Sequence, residues 1–149
     1  MFANSSAISP EAIGLRRASS EIVGWQLKSE VLSGQVNKLN SKLNLITSSQ
    51  NLLEFELSAP SPSAVINARA FIAGLQPLAV FPDLLLEDDG SITFDWFFSR
   101  NKMLSVTVGS NNRLPFAWHL GADQEFGVAV FDGVSTPKQI AEALKSLSS

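Results

Sequence analysis

Residues 84–108 read LLLEDDGSITFDWFFSRNKMLSVTV, two strand-and-turn units in succession with apolar side chains at every second position. Asp88, Asp89, Gly90 and Ser91 divide an apolar run from the segment ITFDWFF. An Asp-Gly pair between alternating segments is a strong hairpin signal, because Gly accepts the positive φ that a tight turn requires. Beyond it, Ile92, Phe94, Trp96 and Phe98 share one face while Thr93, Asp95 and Phe97 share the other, the period-2 pattern of a strand buried on one side. Ser99, Arg100, Asn101 and Lys102 form a polar break, after which Leu104, Val106 and Val108 alternate with Ser105 and Thr107. Residues 109–112 make a second turn, and Leu114, Phe116 and Trp118 then alternate with Pro115, Ala117 and His119. Pro115 has no N–H to give to a ladder, which points to an edge or bulged strand.

Outward from this stretch the pattern continues in both directions. Upstream, Ser61 caps a helix that Pro62 opens and Gly74 ends, with Val65, Ile66, Ala68, Phe71, Ile72 and Leu75 on its apolar side. Residues 78–86 are the expected first strand, interrupted by Pro82. Downstream, residues 121–124 turn the chain into a fifth strand carrying Phe126, Val128 and Val130. Thr136 is placed to cap a last helix with Pro137 at its first position and Ile140, Ala141, Leu144 and Leu147 on one face. The fold class expected is α+β, an antiparallel sheet of four to five strands with flanking helices.

A long helical arm precedes it. Ser9, Pro10 and Glu11 supply a capping hydroxyl, a proline at the first helical position and an acid in the first turn, starting a short helix to about residue 18. Ser19 or Ser20 then caps a second helix over 20–47, in which Ile22, Trp25, Leu32, Val36, Leu39, Leu43 and Ile46 keep a heptad-like spacing. About 25 residues of helix reach roughly 37 Å, long for a small domain. Self-association as a homodimer through Trp25, Leu32, Val36, Leu39 and Leu43 stands beside the alternative that the helix docks on its own sheet. The proline-serine connector at 58–63 marks the expected boundary between an arm, 1–58, and a compact domain, 59–149.

At 149 residues and 45% hydrophobic content, a chain of this size buries roughly two thirds of its surface on folding. No apolar run nears the ~18 to 20 residues of a membrane span, and the N-terminal residues lack the order of a secretory signal, so a cytoplasmic protein without membrane contact is expected. Zero cysteines and a single histidine, His119, exclude disulfides, thiolate nucleophiles and cysteine zinc sites, and no metal or cofactor is expected. No GxGxxG or GxxxxGK[ST] occurs. Residues 83–132 carry eight carboxylates against three cations, a net −5, whereas the rest of the chain sums to +2. An acidic sheet is a poor nucleic-acid platform and favours a partner with a basic protein surface.

The runs APSPSAVINARAFIAGL (59–75), FPDLLLEDDGSITFDWF (81–97), MLSVTVGSNNRLPFAWHLG (103–121) and FDG (131–133) resemble a family of small uncharacterised bacterial proteins. Its pattern is a proline-serine helix start, a proline-containing first strand, Asp-Gly, a strand with an inner Trp and an alternating strand near a glycine turn. The resemblance covers about residues 59–147; Phe55 and Glu56 stand where the family often has Gly-Trp-Asp. It implies an α+β domain often carried by mobile elements and brings no catalytic residues.

Two function classes follow. The first is a non-enzymatic binding factor of the antitoxin, immunity or phage-encoded inhibitor type, engaging a basic partner through Asp88, Asp89, Asp95 and an exposed Phe97. The second is a small hydrolase or ligand-binding enzyme using Asp95, His119 and Asp123, which requires the turn after His119 to fold Asp123 back onto it. Asp88-Asp89-Gly90 resembles the opening of a calcium loop, but the later oxygen ligands are missing.

Overall fold

The computed structural model describes residues 10–48 and 59–149, with side chains from residue 27 onward. In order, the elements are α1 (Pro10–Ile46), α2 (Pro62–Gly74), β1 (Asp83–Leu86), β2 (Ile92–Ser99), β3 (Lys102–Val108), β4 (Arg113–Leu120), β5 (Asp123–Val130) and α3 (Lys138–Leu147). The strands form one antiparallel sheet in the order β1-β2-β3-β4-β5, a meander in which each strand pairs with its sequence neighbour. The chain divides into two compact units, 1–34 and 35–149, and the sheet belongs to the second.

The Asp-Gly hairpin forms as its chemistry requires. Gly90 has φ +86°, and a Cβ there would lie 2.8 Å from the Ser61 nitrogen. That close approach lets the Ser61 N–H donate to the Gly90 carbonyl at 3.0 Å, tying the start of α2 to the β1–β2 turn. The Ser61 hydroxyl accepts from Ala64 N, with Pro62 at the head of the helix.

Strand alternation sorts the sheet into two faces. Ile92, Phe94, Trp96, Leu104, Val106, Val108, Leu114, Phe116 and Ala129 are buried on the inner face, which α2 covers at β2 and β3 and α3 covers from β3 to β5. Phe71 of α2 meets Phe94 edge-on, centroids 5.0 Å apart, and Phe131 at 6.0 Å. Phe94 stacks on Trp96. The Trp96 indole N–H, fully buried, has no acceptor among the described residues, so a ring that contributes much apolar burial carries an unmet donor. On β5, Gly127 leaves room for the Phe116 ring, whose Cζ would lie 2.7 Å from an added Cβ.

Several expectations are corrected. The N-terminal helices are one uninterrupted helix, α1, running through Ser19 and Ser20. Strand β1 begins only at Asp83, directly after Pro82, which lacks a ladder N–H. Pro115 lies on an interior strand, not at an edge; the β3–β4 register stops at Val106↔Phe116, one residue before the proline would face β3. Thr136 does not cap α3. Its hydroxyl donates to the Gly74 carbonyl at 3.0 Å, and Pro137 takes the cap position, its carbonyl accepting from Ala141 N.

The compact unit takes in the C-terminal part of α1. Leu39 and Leu43, expected in a self-association seam, are fully buried in the chain's own core, with Val36 and Ile46 packed against it. They have no surface left to offer a second copy. Leu32 belongs to the other unit and is half-buried; the side chain of Trp25 lies outside the described residues. Polar contacts hold the helix in place. Gln35, 3% exposed, donates Nε2 to Gln76 O at 3.0 Å and accepts Leu78 N–H on Oε1 at 2.8 Å. Lys42 donates to Pro82 O at 2.9 Å, and Arg69 of α2 donates to Asn44 Oδ1 at 2.6 Å.

Replacing Gln35 by Ala strands both the Leu78 N–H and the Gln76 carbonyl. A loss of about 1–3 kcal/mol follows, measurable as a lower urea midpoint with the m-value unchanged.

Candidate functional site

The outer face of the sheet has no helix on it among the described residues. Its side chains are the alternates of the core: Asp83 and Leu85 on β1, Thr93, Asp95 and Phe97 on β2, Met103, Ser105 and Thr107 on β3, Arg113, Pro115, Ala117 and His119 on β4, and Gln124, Phe126, Val128 and Val130 on β5.

The acidic part of this face is concentrated at one end. Glu87, Asp88, Asp89 and Asp95, with the hydroxyls of Ser91, Thr93, Ser105 and Thr107, line one open concavity of about 600 Å³. Its floor is the Thr93–Thr107 pair, whose hydroxyls hydrogen-bond at 3.1 Å. No Lys or Arg lines it. The register adds a carboxylate that the sequence reading missed, because Asp83 pairs directly with Asp95 across β1–β2. Like charges opposite each other in a ladder are mutually unfavourable, and neither has an ion-pair partner among the described residues. The signal for Asp83 was its spacing, two residues from Leu85 and out of phase with Leu84 and Leu86.

The three carboxylates expected at the site come together but differ in role. Asp95 is half-buried and Asp88 exposed, both free of hydrogen bonds among the described residues. Asp89 is committed to the turn: its Oδ1 accepts from Ser91 Oγ at 2.5 Å and from Ser91 N at 2.9 Å. The Ser91 hydroxyl first, and its backbone N–H second, hold the Asp89 carboxyl below the ordinary carboxylate value, since both favour the charged form. Asp132 is likewise lowered by the N–H groups of Ser135 and Val134 and serves its own loop. Phe97 is on the same face as Asp95 and 55% exposed, flanked across the ladder by Met103.

Asp95, His119 and Asp123 are not brought together. The β4–β5 register sets His119 opposite Gln124 and Leu120 opposite Asp123, so Asp123 shares the face of Leu120 while His119 faces outward. Asp95 pairs with Ser105 whereas His119 pairs with Met103, leaving them two strands and one row apart. Among the described residues no three His, Asp or Glu side chains gather as metal ligands, and no helix is long and apolar enough to cross a membrane. A separate cavity of about 410 Å³ lies between residues 76–80 and α3, walled by Leu78, Val80, Phe98 and Leu144; its one ionisable neighbour, Lys145, offers no acid–base pair.

The Asp89 pairing has a pH signature. A carboxyl with a lowered folded pKa contributes stability above its unfolded value and loses it as the pH falls through the folded one, so the turn contributes fully at neutral pH and weakens only in acid below the ordinary carboxylate range. Ser91→Ala removes the largest cause, and a carboxyl-carbon NMR titration should then find Asp89 moved back up toward its ordinary value. Comparison with family models, curated proteins and solved structures finds no match for this chain.

Proposed function

We propose that this chain is a cytoplasmic, non-enzymatic protein-binding factor of the antitoxin, immunity or phage-inhibitor kind, and that it docks a basic partner surface on the acidic end of its outer sheet face. The observation that carries the reading is the opposition of Asp83 and Asp95 beside the concavity of Glu87, Asp88 and Asp89. A sheet that places like carboxylates opposite one another, with no ion-pair partner for either among the described residues, gives up some stability in the free chain. A lysine or arginine from a partner would relieve that repulsion while the Ser and Thr hydroxyls bind its remaining N–H groups. Phe97 supplies an aromatic contact at the rim, of the kind that interfaces favour.

The division of labour among the acids decides which substitutions are informative. Asp89 holds the turn, so changing it confounds folding with binding. Asp88 and Asp95 do not.

Pull-down with the tagged full chain from its native host, followed by identification of the captured protein, is the first experiment. Asp95→Lys and Asp88→Lys should weaken that complex by at least ~tenfold, mainly through slower association that is salt-dependent in the parent chain. Asp83→Asn should weaken it too, yet raise the stability of the free chain by about 0.2–1 kcal/mol. Copurification of a small molecule with no protein partner, or full binding by the charge-reversed chains, would remove this reading.

A further inference from the structure

We propose that the free edge of β5 is a self-recognition strand, which pairs antiparallel with β5 of a second copy to join the two sheets into one of ten strands. β5 is bonded only to β4; its other edge is unpaired among the described residues. Sheets ordinarily protect such an edge with lysine, proline, a bulge or a covering element. From Phe126 to Val130 there is no charge and no proline, and the register to β4 runs without a break from Arg113↔Val130 to Leu120↔Asp123. On the outer face Phe126, Val128 and Val130 are 74%, 51% and 64% exposed, three large apolar side chains at alternate positions along the unpaired strand.

The strand is complementary to itself. A two-fold axis at Val128 sets Phe126 opposite Val130 of the second copy and Val128 opposite its own counterpart. Outer residues then meet outer residues, in the aromatic and β-branched pairs that stabilise ladders. On the inner side the same register opposes Gly127 and Ala129, neither of which obstructs the approach. Parallel pairing would set the Asp123 and Glu125 carboxylates of the two copies side by side. Antiparallel pairing parts them, although continuing the same register past Val130 carries Asp132 of the second copy to Gln124, so the direction is set by the apolar pairs rather than by charge. A neutral apolar edge offers no charge for a basic partner to match, which favours a second copy as its occupant.

Magnitude bounds the strength. The patch and one backbone ladder fall short of the ~800 Å² per partner of a standard interface, so the dimer is a weak, reversible one. The edge lies across the sheet from the acidic concavity, and the inference does not rest on the partner proposed above. If both hold, the dimer carries two acidic sites, and a partner presenting two basic sites would bind with avidity.

Sedimentation velocity on the full chain, run from low to high micromolar concentration, tests the proposal together with amide hydrogen exchange at residues 126–130. The expected result is a concentration-dependent dimer, with protection of 126–130 that rises in step. Val128→Lys should weaken dimerisation by at least ~tenfold with the circular dichroism spectrum unchanged. Val130→Gln is a milder second variant that should act in the same direction. A chain that stays monomeric at high micromolar concentration overturns the inference. So does a dimer indifferent to both substitutions, which would place the contact on another surface. Protection of 126–130 that is equal at all concentrations in a monomer overturns it as well, since the edge would then be covered by the chain itself.

Discussion

The rest of this structure depends on one constraint: a five-stranded meander has two faces, and α2 and α3 both lie on the same one. Burying Phe94, Trp96, Leu104, Val106 and Phe116 under them is the main favourable term, at roughly 25 cal/mol per Å² of apolar surface removed from water. Because side chains alternate strictly along a strand, each choice that builds the core also decides what stands on the other side. Asp95 is outward because Phe94 and Trp96 are inward, and Phe97 is outward because Trp96 and Phe98 are not. The exposed face is the complement of the core.

That outer face is divided along the sheet. Over β1 to β3 a polar concavity with hydroxyls at its centre and carboxylates around them lies beside the apolar side chains of Leu85, Phe97 and Met103. Over β5 the face is apolar, with Phe126, Val128 and Val130 exposed. The two regions suit different contacts, because desolvating a carboxylate is costly unless a cation meets it whereas an apolar strand edge gains both burial and ladder hydrogen bonds from another strand. The net charge of the region conceals this division. Of its eight carboxylates, Asp123 and Glu125 sit at the far end of β5 and Asp132 binds the N–H groups of Val134 and Ser135, which leaves the acidic character to Asp83, Glu87, Asp88, Asp89 and Asp95.

The C-terminal part of α1 shows how a few polar contacts choose between two uses of one apolar stripe. A helix with Leu39 and Leu43 on a seam satisfies them equally well against a second copy or against its own domain. Here Gln35 bridges the backbone of Gln76 and Leu78, and Lys42 reaches Pro82 O. Hydrogen bonds to specific backbone groups exist only in the docked arrangement, so they add a directional preference to a burial term that has none.

By itself the sequence determined the elements and their faces. Alternation at 92–98 and 104–108, Asp-Gly at 89–90 and Ser61-Pro62 are local signals, each set by backbone sterics within a few residues, and the α+β class with its antiparallel sheet follows from them. Only the tertiary structure decided what depends on residues distant in sequence. The register set Asp83 against Asp95 and turned Asp123 away from His119, since a shift of one residue exchanges the faces of a strand. Chain topology put β5 rather than β4 at the edge, so the strand with the proline became interior and a strand whose last five residues carry no charge became the border among the described residues. Thr136 was drawn from its helix to the Gly74 carbonyl because a distant acceptor lay within reach, a competition that no local pattern records.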